Sequence, residues 1–293
     1  MAGWSGRGLL VGVILGTIAF VLMVGLVAAF LGAWLPFGRE RVAVIAVEGT
    51  IADSREVIEQ LQRYRDLSTV RAVVLRVNSP GGAVAPSQEI YQEIQKFRHQ
   101  SKKPVIASLG SVAASGGYYI AAACDRIVAN PGSITGSIGV ILQIPNLGGL
   151  LQKVGIKTTV IKAGENKDLG SVTRDLTEAE IRILQEVMDD VHGQFIDAVA
   201  SGRRLDRARV EPLADGRIFS GRQALALGLV DELGDLPDAI ERAGAMVGIA
   251  GRPQVIQERR RRFSLWDLLT ENLGSVLPIG KTATPMVLQY LWQ

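Results

Sequence analysis

The chain has 293 residues, 47% hydrophobic and 21% charged, with a formal net charge of +3. That length allows one large domain with appendages, and the near-balanced charge gives no case for a nucleic-acid partner. A lone cysteine, Cys124, excludes an internal disulfide, and two histidines offer no metal-ligand spacing, so neither a metal nor another cofactor is expected.

The N-terminus is the most apolar part. Residues 8–38 hold no charged side chain and centre on LLVGVILGTIAFVLMVGLVAAFLGAWL. Crossing the hydrocarbon core takes roughly 20 apolar residues, so this stretch predicts one transmembrane helix, with Trp4 and Trp34 at its margins. A cleaved leader would find a small-residue site at Val27–Ala28–Ala29, but the run is longer than a leader needs, and an anchor over residues 1–38 is the expectation. Arg7 lies before the span and Arg39 and Arg41 after it, so charge does not decide the orientation.

Beyond the anchor, β-branched runs alternate with helical patterns. Residues 41–51 (RVAVIAVEGTI) read as a buried strand. Residues 54–67 read as a helix with Ser54 at its cap, and 70–78 (VRAVVLRVN) as a second strand. NSPGG follows, then a helix over 87–98 and a strand over 104–110. RIVA and IGVIL are short β-like pieces within 124–141, and 156–162 (IKTTVIK) is a further expected strand. A long helix starts near Leu176, with Thr177 and Glu180 placed as a capping box, and carries the apolar stripe Leu184, Met188, Val191, Phe195, Val199. Two shorter helices, 221–228 and 236–247, complete an α/β domain over residues 39–250 with a largely parallel sheet. Residues 251–293 change character, with Arg259–Arg262 beside an amphipathic piece. They read as an extension packed on the domain or a neighbouring subunit, ahead of a membrane-surface role.

The chemistry lies in three small-residue clusters. NSPGG (78–82) sits between strand and helix, where successive glycines can aim backbone N–H groups at an anion. AASGG (113–117) leads into YYIAAA, and a serine at a strand-to-helix turn has the shape of a nucleophile elbow. GSITGSIGV (132–140) supplies Ser133 and Ser137. A histidine base is poorly placed: His99 lies in a charged helix end, and His192 beside Asp189 and Asp190 reads as a surface residue. A desolvated lysine can replace it, and Lys162 and Lys167 both stand in a glycine-bearing loop. The residues lead as far as a Ser/Lys hydrolase with both lysines open.

Five ordered motifs narrow this. NSPGG, ASGGYY, TGSIGV, GENKD and DGRIFSGRQALALGLVDELG together closely resemble the signal peptide peptidase A family, from about residue 41 to about 247. The resemblance implies a crotonase/Clp-protease-like α/β fold of repeated ββα units behind one transmembrane helix. It implies Ser115 as nucleophile, Lys167 as general base and Ser137 as the hydroxyl that orients the lysine. The N–H groups of Gly82 and Gly116 would form the oxyanion hole, and Tyr118 and Tyr119 would be structural. Val172 departs from the family, where a proline is common; this bears on loop shape. The implied activity is a membrane-anchored serine endopeptidase that degrades cleaved signal peptides, homo-oligomeric, single-pass, with its catalytic domain on the extracytoplasmic side of the cell membrane. Its rivals are an anchored Ser/Lys protease of another membrane protein, such as a stomatin-like partner, and a crotonase-like acyl-CoA enzyme.

Overall fold

The computed structural model describes residues 6–34, 40–258 and 289–291, and the chain divides into two units, Met1–Glu40 and Arg41–Gln293. In the first, α1 (Gly6–Trp34) is a 29-residue helix. Its side chains are described over residues 12–27, all of them exposed. Among the described residues no helix is long and apolar enough to cross a membrane.

The second unit is a mixed α/β fold. Its first half runs β1 (Arg41–Glu48), α2 (Arg55–Asp66), β2 (Val70–Ser79), β3 (Gly81–Ala83), α3 (Val84–Ser101), β4 (Val105–Ala114), α4 (Gly116–Ala122), β5 (Arg126–Ala129) and β6 (Ile134–Gly136). The second half runs α5 (Gly148–Lys153), α6 (Glu178–Arg203), α7 (Arg207–Val210), β7 (Ile218–Ser220), α8 (Gly221–Ala226), β8 (Glu232–Leu233), α9 (Leu236–Met246), β9 (Gln254–Gln257) and β10 (Gln289–Leu291). The main sheet has the order β7-β6-β4-β2-β1-β9, with β5 and β8 branching from β4. All its pairings are parallel except β6 with β7.

A parallel sheet buries both faces, which is why its strands read as unbroken apolar runs. Val42, Val44, Ala72, Val74 and Ile106 face one way and pack on Ala239 and Ala243 of α9. The alternate residues Ala43, Ile45, Val73, Leu75 and Val77 face the other way, into a core with Leu61, Ile94, Phe97 and Phe195. The period of two thus divides each strand between two cores.

One strand organises the site. The first part of β4 (Ile106–Leu109) pairs with β5, and its last part (Val112–Ala114) pairs with β6 on the same edge, while β2 runs along the other. The chain then turns at Ser115 straight into α4, whose seven residues are all buried. Tyr118 donates its hydroxyl to Leu229 O at 2.7 Å, and the Tyr119 ring packs edge-on against Tyr91 with centroids 5.0 Å apart. Burial pushes both phenols up, Tyr119 to about 12.

Three expectations need correction. Residues 156–162 are not a strand: no strand lies beside them, and they run exposed without ladder partners. IGVIL is not a strand either, because β6 is Ile134–Gly136 and pairing ends where Ser137 takes a positive φ of 51°. Ser54 does not cap α2; its hydroxyl is bonded instead to the Glu89 carboxylate. Within the extension assigned to 251–293, residues 254–257 are β9, a parallel edge strand on β1. The Arg259–Arg262 cluster and the amphipathic piece lie outside the described residues.

Candidate active site

Ser115 sits at the carboxyl end of β4, flanked by the ends of β2 and β6. Ser79 is paired with Ala113 on one side, and Gly136 with Ala114 on the other. The NSPGG, AASGG and TGSIG motifs therefore converge on one residue, outside the carboxyl ends of parallel strands where open α/β sheets place their sites.

The backbone of Ser115 is strained, with φ 52° and ψ −120°. A non-glycine residue there costs on the order of 1–3 kcal/mol and persists only if its surroundings hold it. The Ser115 N–H donates to Gly136 O at 2.8 Å, and its carbonyl accepts from Tyr119 N at 2.8 Å. Close packing does the rest: a Cβ on Gly117 would lie 2.9 Å from Ser79 O, so only glycine lets α4 approach the NSPGG turn. The small residues of this stretch serve packing, and that packing holds the serine in its strained turn.

The Ser115 Oγ is buried and has no hydrogen-bond partner among the described residues. A buried hydroxyl without a partner is costly, and such groups are rare outside functional sites. Gly116 opens α4, so its N–H has no intrahelical acceptor. Gly82 is buried in β3 and presses against Ile51; a Cβ there would stand 2.2 Å from Ile51 O.

Ser137 lies beyond the Gly136 contact, 7% exposed and, like Ser115, at positive φ. Its N–H donates to Arg217 O at 2.8 Å. It lines a cleft of about 520 Å³ together with Gly139, Gln143, Met188, Asp189 and His192. A second cleft, of about 570 Å³, includes Ile51, the backbone neighbour of Gly82. His192 is only partly exposed and its Nε2 is buried without a partner, so it is not the solvated side chain expected; no hydrogen bond joins it to Ser115. His99 is exposed, as its position in a charged helix end suggested.

The lysines sit on a different kind of structure. Residues 156–167 form an exposed arm, and Lys167 is exposed on it, with no hydrogen bond to Ser115 Oγ. Lys162 is committed elsewhere: its Nζ donates to Glu165 O at 2.6 Å and to the Asp168 carboxylate. Asp168 in turn takes Arg174, which reaches Glu180 of the α6 capping box at 2.6 Å. That box is complete, with Thr177 N donating to Glu180 Oε2 at 2.8 Å. Hydrogen bonds from Lys162 and Arg174 hold the Asp168 carboxyl below its usual range, and those from Arg174 and the Thr177 amide hold Glu180 at about 2. This clamp was missed in the sequence, although acid, base and acid recur at six-residue intervals (168, 174, 180). Among the described residues no group of three or more His, Cys, Asp or Glu could hold a metal.

Residues 97–250 match the model of peptidase family S49, and residues 36–133 that of Clp protease. A Synechocystis sp. protein, provisionally named a protease, is 46% identical over 212 residues, covering 72% of this chain and 76% of that protein. Protease 4 of Haemophilus influenzae is 35% identical over 216 residues, covering 71% of this chain and 35% of its own. The chloroplastic serine protease SPPA of Arabidopsis thaliana is 31% identical over 261 residues, covering 84% of this chain and 38% of its own. The chain thus spans little more than a third of the two longer relatives. With the small-residue motifs and the matched family model in agreement, the chain belongs to peptidase family S49, the signal peptide peptidase A family, and is a serine protease.

Proposed function

We propose that the chain is a membrane-anchored endopeptidase that removes apolar signal-peptide remnants, with Ser115 as nucleophile and Lys167 as general base. The observation that carries this reading is the buried, unpartnered Ser115 Oγ on a strained elbow where three glycine-bearing motifs meet. Neutral Lys167 takes the Ser115 proton as Oγ bonds to the scissile carbonyl carbon. The oxyanion accepts from the N–H groups of Gly82 and Gly116. Lys167 then gives its proton to the departing amine, and a water deprotonated by the same lysine releases the acyl group and restores Ser115. Ser137, on the loop that holds the Ser115 amide, orients the lysine.

Lys167 is favoured over Lys162 because Lys162 is bound in the Asp168 clamp. General-base work needs the neutral amine, which a lysine reaches by losing water. The arm that carries Lys167 exposes Ile156, Val160 and Ile161, the last 96% accessible. A second copy of the chain covering these side chains would dry the arm, which supports a homo-oligomer. The uncharged run over residues 8–38 supports a single-pass anchor that holds the enzyme at the cell membrane, where cleaved leaders remain, with the catalytic domain on the extracytoplasmic side.

The test is covalent labelling with a fluorophosphonate, followed by mapping of the modified peptide. Labelling should fall on Ser115, and Ser115→Ala should lose both labelling and peptidase activity, about 10³-fold or more, while staying folded. Labelling of Ser137 or another serine would overturn the assignment.

A further inference from the structure

The edge of β3 that faces away from Ile51 is already occupied. β10 lies antiparallel against it, with Gln289 opposite Ala83, Tyr290 opposite Gly82 and Leu291 opposite Gly81. The inner edge of the same strand belongs to Ile51: its N–H donates to Gly81 O at 2.8 Å, and its carbonyl accepts from Ala83 N at 2.8 Å. Successive residues of a strand turn their amide groups to opposite edges. The N–H and C=O of Gly82 therefore face outward, toward the main chain of Tyr290. That N–H is the one assigned above to the oxyanion.

We propose that the outer edge of β3 is a main-chain docking surface for extended peptide, and that residues 289–291 of this same chain fill it in the resting enzyme. A substrate binds by displacing them. The proposal rests on the placement of Gly82 beside Ser115 in the catalytic reading. A sheet edge recognises an extended chain through its backbone, so one surface suits both the chain's own segment and peptides of varied sequence. Residues 259–288 separate β9 from β10. Thirty residues span at most roughly 100 Å, so the segment can reach β3 of its own protomer. Three residue pairs make a short ladder, well below the usual strand length of about five to six residues, so the occupant is weakly held and gives way to a longer peptide.

The experiment compares the full-length protein with its Tyr290→Pro variant, in hydrolysis of an apolar peptide. Proline has no N–H to give the ladder and is not tolerated within it. The expected result is a KM about three- to ten-fold lower with kcat unchanged, as removing a competing occupant raises the binding-competent fraction. A synthetic peptide of residues 285–293 should restore the higher KM as a competitive inhibitor. An unchanged KM in the variant, or a peptide that fails to compete, overturns the proposal. Ser115→Ala assayed alongside keeps the two readings apart: if it is inactive while KM does not move, only the docking proposal falls. If it remains active, the catalytic reading falls instead.

Discussion

The two halves of the proposed dyad stand on different foundations. Ser115 is held by the core: its strand is paired on both edges, its helix is buried along its whole length, and its amide is tied to Gly136. Lys167 rides on an exposed arm without ladder partners, anchored next door by ion pairs among Lys162, Asp168, Arg174 and Glu180. Apolar packing and a parallel ladder make the nucleophile's position part of the folding free energy of the domain. The position of the base depends on surface electrostatics and on whatever covers Ile156 and Ile161. A serine protease built this way carries its nucleophile ready-made, while its base is completed by local contacts that can be weakened without unfolding the domain.

Breaking the first half should therefore cost stability and activity together. Gly117→Ala drives a Cβ toward Ser79 O and forces α4 from the NSPGG turn. Urea denaturation should show a loss of about 1–3 kcal/mol, as for other overpacked interiors, with activity falling in parallel. A variant as stable as the parent would show that the elbow is less tightly packed than described.

Breaking the second half should separate the two quantities. Arg174→Ala releases Asp168 and Glu180 together. We expect kcat to fall roughly tenfold with little change in the urea midpoint, and limited proteolysis to cut the 156–175 region sooner. Loss of stability comparable to that of Gly117→Ala would place the clamp in the core's cooperative unit.

The smallest effect sharpens the same contrast through pH. Glu180 is held at about 2 in the folded chain, below its ordinary value of 4.5. A depressed carboxyl stabilises the fold fully above its unfolded pKa, and that contribution is lost as pH falls through the folded value. The Tm difference between parent and Arg174→Ala should thus be constant above about pH 5 and shrink between pH 4.5 and 2. A difference that grows on acidification contradicts the clamp.

How much of this was legible in the sequence follows the same division. NSPGG, AASGG and TGSIG could be read because glycine and serine at strand ends have few other uses, and parallel strands bring their carboxyl ends together. The α6 capping box could be read because it is local. The arm could not: Ile156–Ile161 has the β-branched composition of a strand, but β propensity expresses fit to a pleated, half-buried surface, and no such surface lies beside it. Pairing of Tyr290 with Gly82 joins residues about two hundred positions apart through three residues, too short a stretch to leave a pattern. His192 was misjudged because its neighbours Asp189 and Asp190 are exposed, whereas its own ring turns inward to the cleft beside Ser137.

The most direct test of the proposed dyad is peptide hydrolysis by Lys167→Ala and Lys162→Ala, measured side by side with their thermal unfolding. Lys167→Ala should lose activity about 10³-fold or more with Tm unchanged, while Lys162→Ala, which only loosens the clamp, should stay within roughly tenfold of the parent. A Lys167→Ala protein with near-parental activity, or a Lys162→Ala protein that is inactive yet folded, would contradict the assignment of the base.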